Sequence, residues 1–192
     1  MIIGISGKAR AGKDTLGAYL QRNLAQLGGV HFTRMAFADE LKRQVADHLG
    51  LTTEQLYGAL KEVEDKRFPK PSESRFWTPR EILQAYGQFL RTVDYDYWVK
   101  VLFWKIENEK IDNVIITDAR HINEVKAVLE RGGKHVRVFR DSGEFVHNSE
   151  HISEVALDDF KEVDYKVDND GTLEDLESKA QEITRKILDG GL

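Results

Sequence analysis

The residues most able to do chemistry stand together in Gly7-Lys8-Ala9-Arg10-Ala11-Gly12-Lys13-Asp14-Thr15, directly after the apolar run Ile2-Ile3-Gly4-Ile5. Gly7-x-x-x-x-Gly12-Lys13 is the spacing of a phosphate-binding loop. A loop that wraps a phosphate turns successive backbone N–H groups inward, and glycine permits the backbone angles and the close approach this needs. The helix that follows would add its N–H groups and the positive end of its dipole. Lys13 would add a mobile charge able to reach the β- and γ-phosphates of a nucleotide. The position after the lysine, where a hydroxyl usually holds Mg²⁺, carries Asp14, and Thr15 follows, so either side chain is a candidate metal ligand. Lys8 and Arg10 make the loop unusually cationic. A glycine-lysine turn can precede a helix by chance, but the flanking strand and helix supply the context the motif needs.

Other candidates lie further along. Val114-Ile115-Ile116-Thr117-Asp118-Ala119-Arg120 reads as a buried parallel strand with a carboxylate at its C-terminal edge, where ligands bind in α/β sheets. Asp118 is then a ligand for Mg²⁺ or its water shell, a substrate contact, or the cap of the next helix. A strand His135–Phe139 delivers Arg140 at its end, and Asp39 stands just past the second strand. Arginine suits planar, bidentate grip on phosphate, so Arg80, Arg91, Arg120 and Arg140 lead the candidates, with Arg67 and Arg75 behind them. Residues 61–77 are polar and irregular, either a solvated loop or a basic segment that closes over an anion. Tyr95, Tyr97, Trp98, Phe103 and Trp104 read mainly as core, with one or two free to stack on a base. His147-Asn148-Ser149-Glu150-His151 matches the H-x-x-E-H zinc pattern in form only, since no third ligand is evident, and a loop or lid is the better reading.

These residues need a frame to hold them. Leu16, Tyr19, Leu20, Leu24 and Leu27 recur at helical spacing up to Gly28-Gly29. A strand over 31–36 follows, then a helix opened by Asp39-Glu40-Leu41-Lys42 with Leu41, Val45 and Leu49 inward. Thr52-x-x-Gln55, Thr78-Pro79-Arg80-Glu81 and Thr172-x-x-Asp175 are helix-start signatures. The helix after Thr78 turns Ile82, Tyr86, Phe89 and Leu90 to one side and Arg80, Gln84 and Arg91 to another. A helix over 121–131 ends at Gly132-Gly133, and Tyr165–Val167 makes a fifth strand. The last helix carries Leu173, Leu176, Ala180, Ile183 and Ile187. Five strands alternating with helices predict an α/β three-layer sandwich around a five-stranded parallel sheet. Right-handed crossovers would bring Gly7–Thr15, Asp39, Asp118 and Arg140 to one rim.

Composition narrows the class. A chain of 192 residues suits one domain, with a core over 1–38 and 111–192, a helical insertion over 39–110 and a lid over 140–160. A net charge of −5 gives no global footprint for nucleic acid. The chain has no cysteine, which excludes disulfides and thiolate metal sites and fits a reducing cytoplasm. No apolar run approaches a membrane span, and the N-terminal segment reads as a core strand, not a signal peptide. The Asn-Lys-x-Asp pattern of guanine-selective switches is absent, which argues against a GTPase. A small-acceptor kinase needs a donor grip, an acceptor grip and a cationic cover, and this chain offers all three. A phosphate acceptor would need no strong base; a hydroxyl acceptor would, with Asp39 the candidate.

The sequence resembles the phage-type deoxynucleoside monophosphate kinases, P-loop relatives of the adenylate kinase and dephospho-CoA kinase groups, over nearly its whole length. The markers are Ser6 through Thr15, Phe37-Ala38-Asp39-Glu40-Leu41-Lys42, Arg80-Glu81-Ile82-Leu83-Gln84-x-x-Gly87, Arg91 with Asp96-x-Trp98-Val99, Thr117-Asp118-Ala119-Arg120-x-x-Asn123-Glu124, His151-x-Ser153-Glu154 and Asn169-Asp170-Gly171-Thr172-Leu173. The resemblance implies Mg²⁺-dependent transfer of the γ-phosphoryl of ATP to a deoxynucleoside monophosphate. It implies that Arg10, Lys13, Asp39 and Arg140 serve the transfer, and that Gly7 through Thr15 hold the ATP phosphates, with Asn169 and Gly171 near the adenine. Asp39, Lys42, Arg80, Gln84, Arg91, Trp98, Asp118 and Arg120 would contact the acceptor, and Asp14, Thr15 and Asp118 the metal. Partners would be small nucleotides, with neither nucleic acid nor membrane, and the frequency of dimers in the family raises a homodimer as an expectation. A P-loop kinase for dephospho-CoA or phosphomevalonate, or a non-catalytic nucleotide-binding module, is the alternative.

Overall fold

A computed structural model describes residues 1–70, 72–140 and 156–190. Most of the proposed lid over 140–160, and all of the H-x-x-E-H run and the His151 marker, fall on residues outside those described. The chain divides into two compact units, Met1–Ala36 with Phe103–Leu192, and Phe37–Leu102. The sequence pattern suggests boundaries at 39 and 110 instead. The second division falls inside a helix, α5 (Tyr97–Asn108), where no turn residue marks it.

The first unit is built on a parallel sheet of β1 (Ile2–Ser6), β2 (Thr33–Met35), β5 (Val114–Ala119), β6 (Lys134–Phe139) and β7 (Tyr165–Asp168), in the order β2-β5-β1-β6-β7. β1 is therefore central, and the chain leaves it toward one edge and later the other. That reversal is where α/β sheets bind ligands.

Strand alternation sorts the faces. Ile3 and Ile5 point to α1 (Lys13–Gly28) and α7 (Leu173–Asp189), joining Leu16, Leu20, Leu24, Ile115, Val136, Val138, Leu176, Ala180 and Ile183 in one buried cluster. Gly4 points the other way, where a Cβ would lie 3.1 Å from Val128 of α6 (Ile122–Leu129). These three layers match the expected architecture. Leu173 does not join the stripe of the last helix: as its first residue it is 62% exposed, while Leu176, Ala180, Ile183 and Ile187 are buried.

The second unit packs α2 (Phe37–Leu49), α3 (Thr53–Tyr57), a 3₁₀ turn (Ala59–Glu62), a hairpin of β3 (Pro69–Lys70) and β4 (Arg75–Phe76), and α4 (Pro79–Val93) around Val45, Leu51, Leu56, Ile82 and Leu83. Helix α2 begins two residues before the expected start, taking Phe37 inside. The capping boxes at Thr52, Thr78 and Thr172 are all present. Phe89 departs from the inward face expected of it and is 63% exposed.

The stretch 61–77, read as irregular, is ordered by its charges. Buried Asp65 accepts from Arg67 Nη2 at 2.6 Å and Gln55 Nε2 at 2.7 Å. Glu81 accepts from Arg75 at 2.6 Å and Lys70 at 3.2 Å, while also closing the N-terminus of α4 through Thr78 N–H at 2.9 Å. The Arg75 hydrogen bond foremost, with Thr78 N–H and Lys70, holds the Glu81 carboxyl well below the usual carboxylate range. The Arg67 hydrogen bond does the same for Asp65. Arg67, Lys70 and Arg75 are thus engaged by Asp65, Glu73 and Glu81, which places neither Arg67 nor Arg75 as a mobile phosphate grip.

Candidate phosphate site

The loop after β1 has the shape its sequence requires. Gly7 adopts φ 152°, and a Cβ there would lie 2.5 Å from the Val138 carbonyl, so β6 seals the underside of the loop. Arg10 takes a left-handed φ of 63° at the tip, and Gly12 takes φ 96° as the N-cap of α1. No side chain caps that helix, so its positive end faces the loop. Lys13 is only 7% exposed, and its Nζ donates to the carbonyls of Gly7 and Lys8, each at 2.7 Å. The ammonium is thereby stored in the mouth of the loop. Asn169 locks the far side: it is buried, donates from Nδ2 to the Ala11 carbonyl at 2.8 Å, and is itself fixed by its N–H to Phe139 O at 2.7 Å. Gly171 is exposed beyond it.

A cavity of about 430 Å³ opens beside the loop. Lys8, Arg120, Arg137 and Arg140 line it with Asp158 and Asp170, so cations outnumber carboxylates on its wall. That balance suits an anion. Arg140 and Arg120 are where the strand-end reading puts them. Arg137 and its neighbour His135 were not singled out from sequence. Arg137 is buried, donates to the carbonyls of Leu157 and Phe160, and approaches Asp158 Oδ1 at 3.4 Å. Burial lowers its pKa from the ordinary arginine value, with Asp158 acting in the opposite sense. Lys8 reaches the other oxygen of Asp158 at 3.2 Å. A signal for Arg137 exists in hindsight: a parallel strand buried on both faces should be apolar throughout, and His-Val-Arg-Val-Phe is not.

Asp118 lies near the end of β5, half-buried. It is not the cap of α6: that position is His121, and Glu124 closes the turn by accepting from the N–H groups of Arg120 at 2.8 Å and His121 at 3.0 Å. Among the described residues no group of three or more His, Cys, Asp or Glu side chains is arranged to hold a metal. A Mg²⁺ that keeps waters and is carried on nucleotide phosphates asks for only one or two protein oxygens, and exposed Asp14, half-buried Thr15 and Asp118 fit that demand.

The remaining expected residues belong to the second unit. Asp39 and Lys42 are on α2, with Lys42 Nζ 4.2 Å from the centre of the Tyr57 ring. Arg80, Gln84 and Arg91 are on α4, and Arg80 is ion-paired with Glu62. Trp98 differs from expectation. It is 2% exposed, and its indole N–H donates to Gly87 O at 3.1 Å, so it joins α5 to α4 and presents no face to a ligand.

Sheet order, glycine loop and stored lysine together define an α/β P-loop fold of the kind found in small-molecule kinases. The structures of dephospho-CoA kinase from Campylobacter jejuni and of shikimate kinase from Acinetobacter baumannii in complex with shikimate share it. The TM-score is 0.52 for each, at 14% and 16% identity, over 100% of this chain and 98% and 94% of theirs. The sequence profile of the deoxynucleotide monophosphate kinases matches residues 57–180, and the chain belongs to that family. The deoxynucleotide monophosphate kinase of Escherichia phage RB69 is 31% identical over 114 residues, which is 57% of this chain and 46% of that protein, so the match spans about half of the relative's length. No helix among the described residues is long and apolar enough to cross a membrane.

Proposed function

We propose that this chain transfers the γ-phosphoryl group of ATP to a deoxynucleoside 5′-monophosphate, giving the diphosphate and ADP. The observation that carries the reading is the buried Lys13 ammonium held on two loop carbonyls beside a cavity rich in arginine. Family membership supports a nucleotide monophosphate as the acceptor class.

In this reading the loop N–H groups and the start of α1 receive the β-phosphate, and Lys13 exchanges its carbonyl partners for β- and γ-oxygens. The ammonium is already desolvated, so the exchange requires little reorganisation. An ionised oxygen of the acceptor phosphate forms the new bond to the γ-phosphorus as the bond to the β-bridging oxygen breaks, and ADP leaves with the electron pair. No strong base is needed, so Asp39 shapes the acceptor site and takes no proton. Arg10, Arg120 and Arg140 balance the charge on the transferring group. Mg²⁺, when bound, neutralises phosphate charge, with Asp14, Thr15 and Asp118 to hold it or its waters. Asp39, Lys42, Gln84 and Arg91 hold the acceptor, and Arg80 joins them on leaving Glu62.

The test is ADP release from Mg·ATP with the four common deoxynucleoside monophosphates, their ribose counterparts, dephospho-CoA and phosphomevalonate, using Lys13→Ala as the blank. Turnover with deoxynucleoside monophosphates supports the reading and gives the base preference. Turnover confined to dephospho-CoA or phosphomevalonate, or with none of these acceptors, overturns it.

A further inference from the structure

One face of β6 carries two buried polar side chains, His135 and Arg137, because Val136 and Val138 take the opposite face against α1 and α7. The segment Leu157–Asp164 covers them through polar contacts. His135 Nδ1 is 2.7 Å from the Glu162 carbonyl, Asp164 Oδ2 accepts from the His135 backbone N–H at 2.8 Å, and the Asp164 N–H returns to His135 O at 3.0 Å. The Phe160 ring stands 5.9 Å from the imidazole.

A carbonyl oxygen can only accept, so the ring proton is on Nδ1. Nε2 is then an acceptor, and its donor is Ser6 Oγ at 2.7 Å. Both residues are fully buried. Burial foremost, with the charge of Arg137, pushes the His135 pKa below its ordinary value, while the Glu162 carbonyl and the Asp164 carboxylate pull the other way. Burial favours the neutral ring, and in that form Ser6 Oγ donates to Nε2. Ser6 immediately precedes Gly7, whose Cα abuts the Val138 carbonyl and whose own carbonyl holds Lys13 Nζ. From Glu162 to Lys13 the contacts run unbroken through His135, Ser6 and Gly7.

We propose that His135 is a positioning residue for the phosphate loop. Through Ser6 it fixes the entry to the loop, one residue before the Gly7 carbonyl on which Lys13 is stored, and it joins that entry to the Glu162–Asp164 segment. The role rests on the nucleotide reading above for its ligand, but it can be tested without turnover.

Two variants isolate the link. Ser6→Ala removes the donor. His135→Asn keeps an N–H donor near the Nδ1 position for Glu162 O but puts no acceptor within reach of Ser6. ADP affinity is measured by calorimetry on the full chain, and KM for ATP and for the acceptor by steady-state kinetics. The expected result is a loss of up to about tenfold in ADP affinity for each variant, about 1.4 kcal/mol, the upper range of one hydrogen bond when all of it serves to hold the loop in its binding shape. KM for ATP rises in parallel, and KM for the acceptor is unchanged. The double variant is no worse than either single one, because both remove the same bond. A merely structural role would lower the active fraction, and so kcat, without moving ADP affinity. Wild-type ADP affinity in both variants, or losses that multiply to about a hundredfold in the double variant, would overturn the proposal. If the wild-type chain binds ADP and follows this pattern yet phosphorylates no monophosphate, the kinase reading falls and the positioning role stands.

Discussion

Gly12→Ala is the substitution whose cost can be worked most fully from the structure. At φ 96° an L side chain is strained, by roughly 1–2 kcal/mol. The new Cβ would also lie 2.4 Å from Asn169 Nδ2. Asn169 cannot retreat with its backbone, because its N–H is bonded to Phe139 O at the end of the β6–β7 ladder. The amide must therefore rotate away and give up its bond to Ala11 O, at about 1 kcal/mol. The total is about 2–3 kcal/mol, read as the free energy of urea unfolding. Asn169→Ala alone should cost about 1 kcal/mol through the same bond. In the double variant the strain remains, but the bond can be lost only once, so its cost should fall short of the sum by about 1 kcal/mol. Additivity within about 0.5 kcal/mol would show that Gly12 and Asn169 do not share a contact, and the reasoning would fail.

Arg140→Ala should reduce turnover by roughly 10³ if the guanidinium balances transition-state charge, and an unchanged kcat would remove it from the reaction. Trp98→Phe should cost about 1 kcal/mol in unfolding free energy through the lost bond to Gly87 O while leaving acceptor KM unmoved; a raised KM with unchanged stability would restore Trp98 to the acceptor site. Asp65 and Glu81 have folded pKa values depressed by Arg67 and Arg75, so the stability they contribute is fully present above the unfolded carboxyl range near 4 and is lost as pH falls below it toward the depressed values. Urea unfolding between about pH 6 and 2, where the decline begins and most of it falls, should show a decline that is shallower in Asp65→Asn and Glu81→Gln; parallel curves would contradict the assignment.

What could be read in advance was local. The loop glycines, the three capping boxes and the apolar strands are each decided within a few residues, and they stand where the spacing puts them. Features that depend on distant partners were hidden. Trp98 belongs to an aromatic run that reads mainly as core, and only its partner Gly87 O, eleven residues back, shows that its N–H is already taken. The run 61–77 reads as a solvated loop or a closing segment because its prolines and charges mask strands of two residues each, held by ion pairs to Glu73 and Glu81. Phe89 and Leu173 fit a helical stripe by period, but neither has an element packed over it, and both are exposed. His135 and Arg137 alternate with valines, a pattern that ordinarily means one solvated face. Here that face is covered by the non-helical segment 157–164.

The central place of β1 has a consequence for how the chain is made. Its two neighbours, β5 and β6, follow it by about a hundred residues or more, which at cellular rates is on the order of 5–20 s of translation. During that interval the apolar run Ile2–Ile5 has emerged from the ribosome with neither edge paired, a state prone to wrong association. The intervening second unit, Phe37–Leu102, is a continuous stretch whose helices and hairpin can form from sequence-local contacts while the first strand waits. Newly made protein should therefore acquire protease resistance in Phe37–Leu102 before it can retain a nucleotide, since the loop that would receive the phosphate is completed only when Asn169 reaches Ala11.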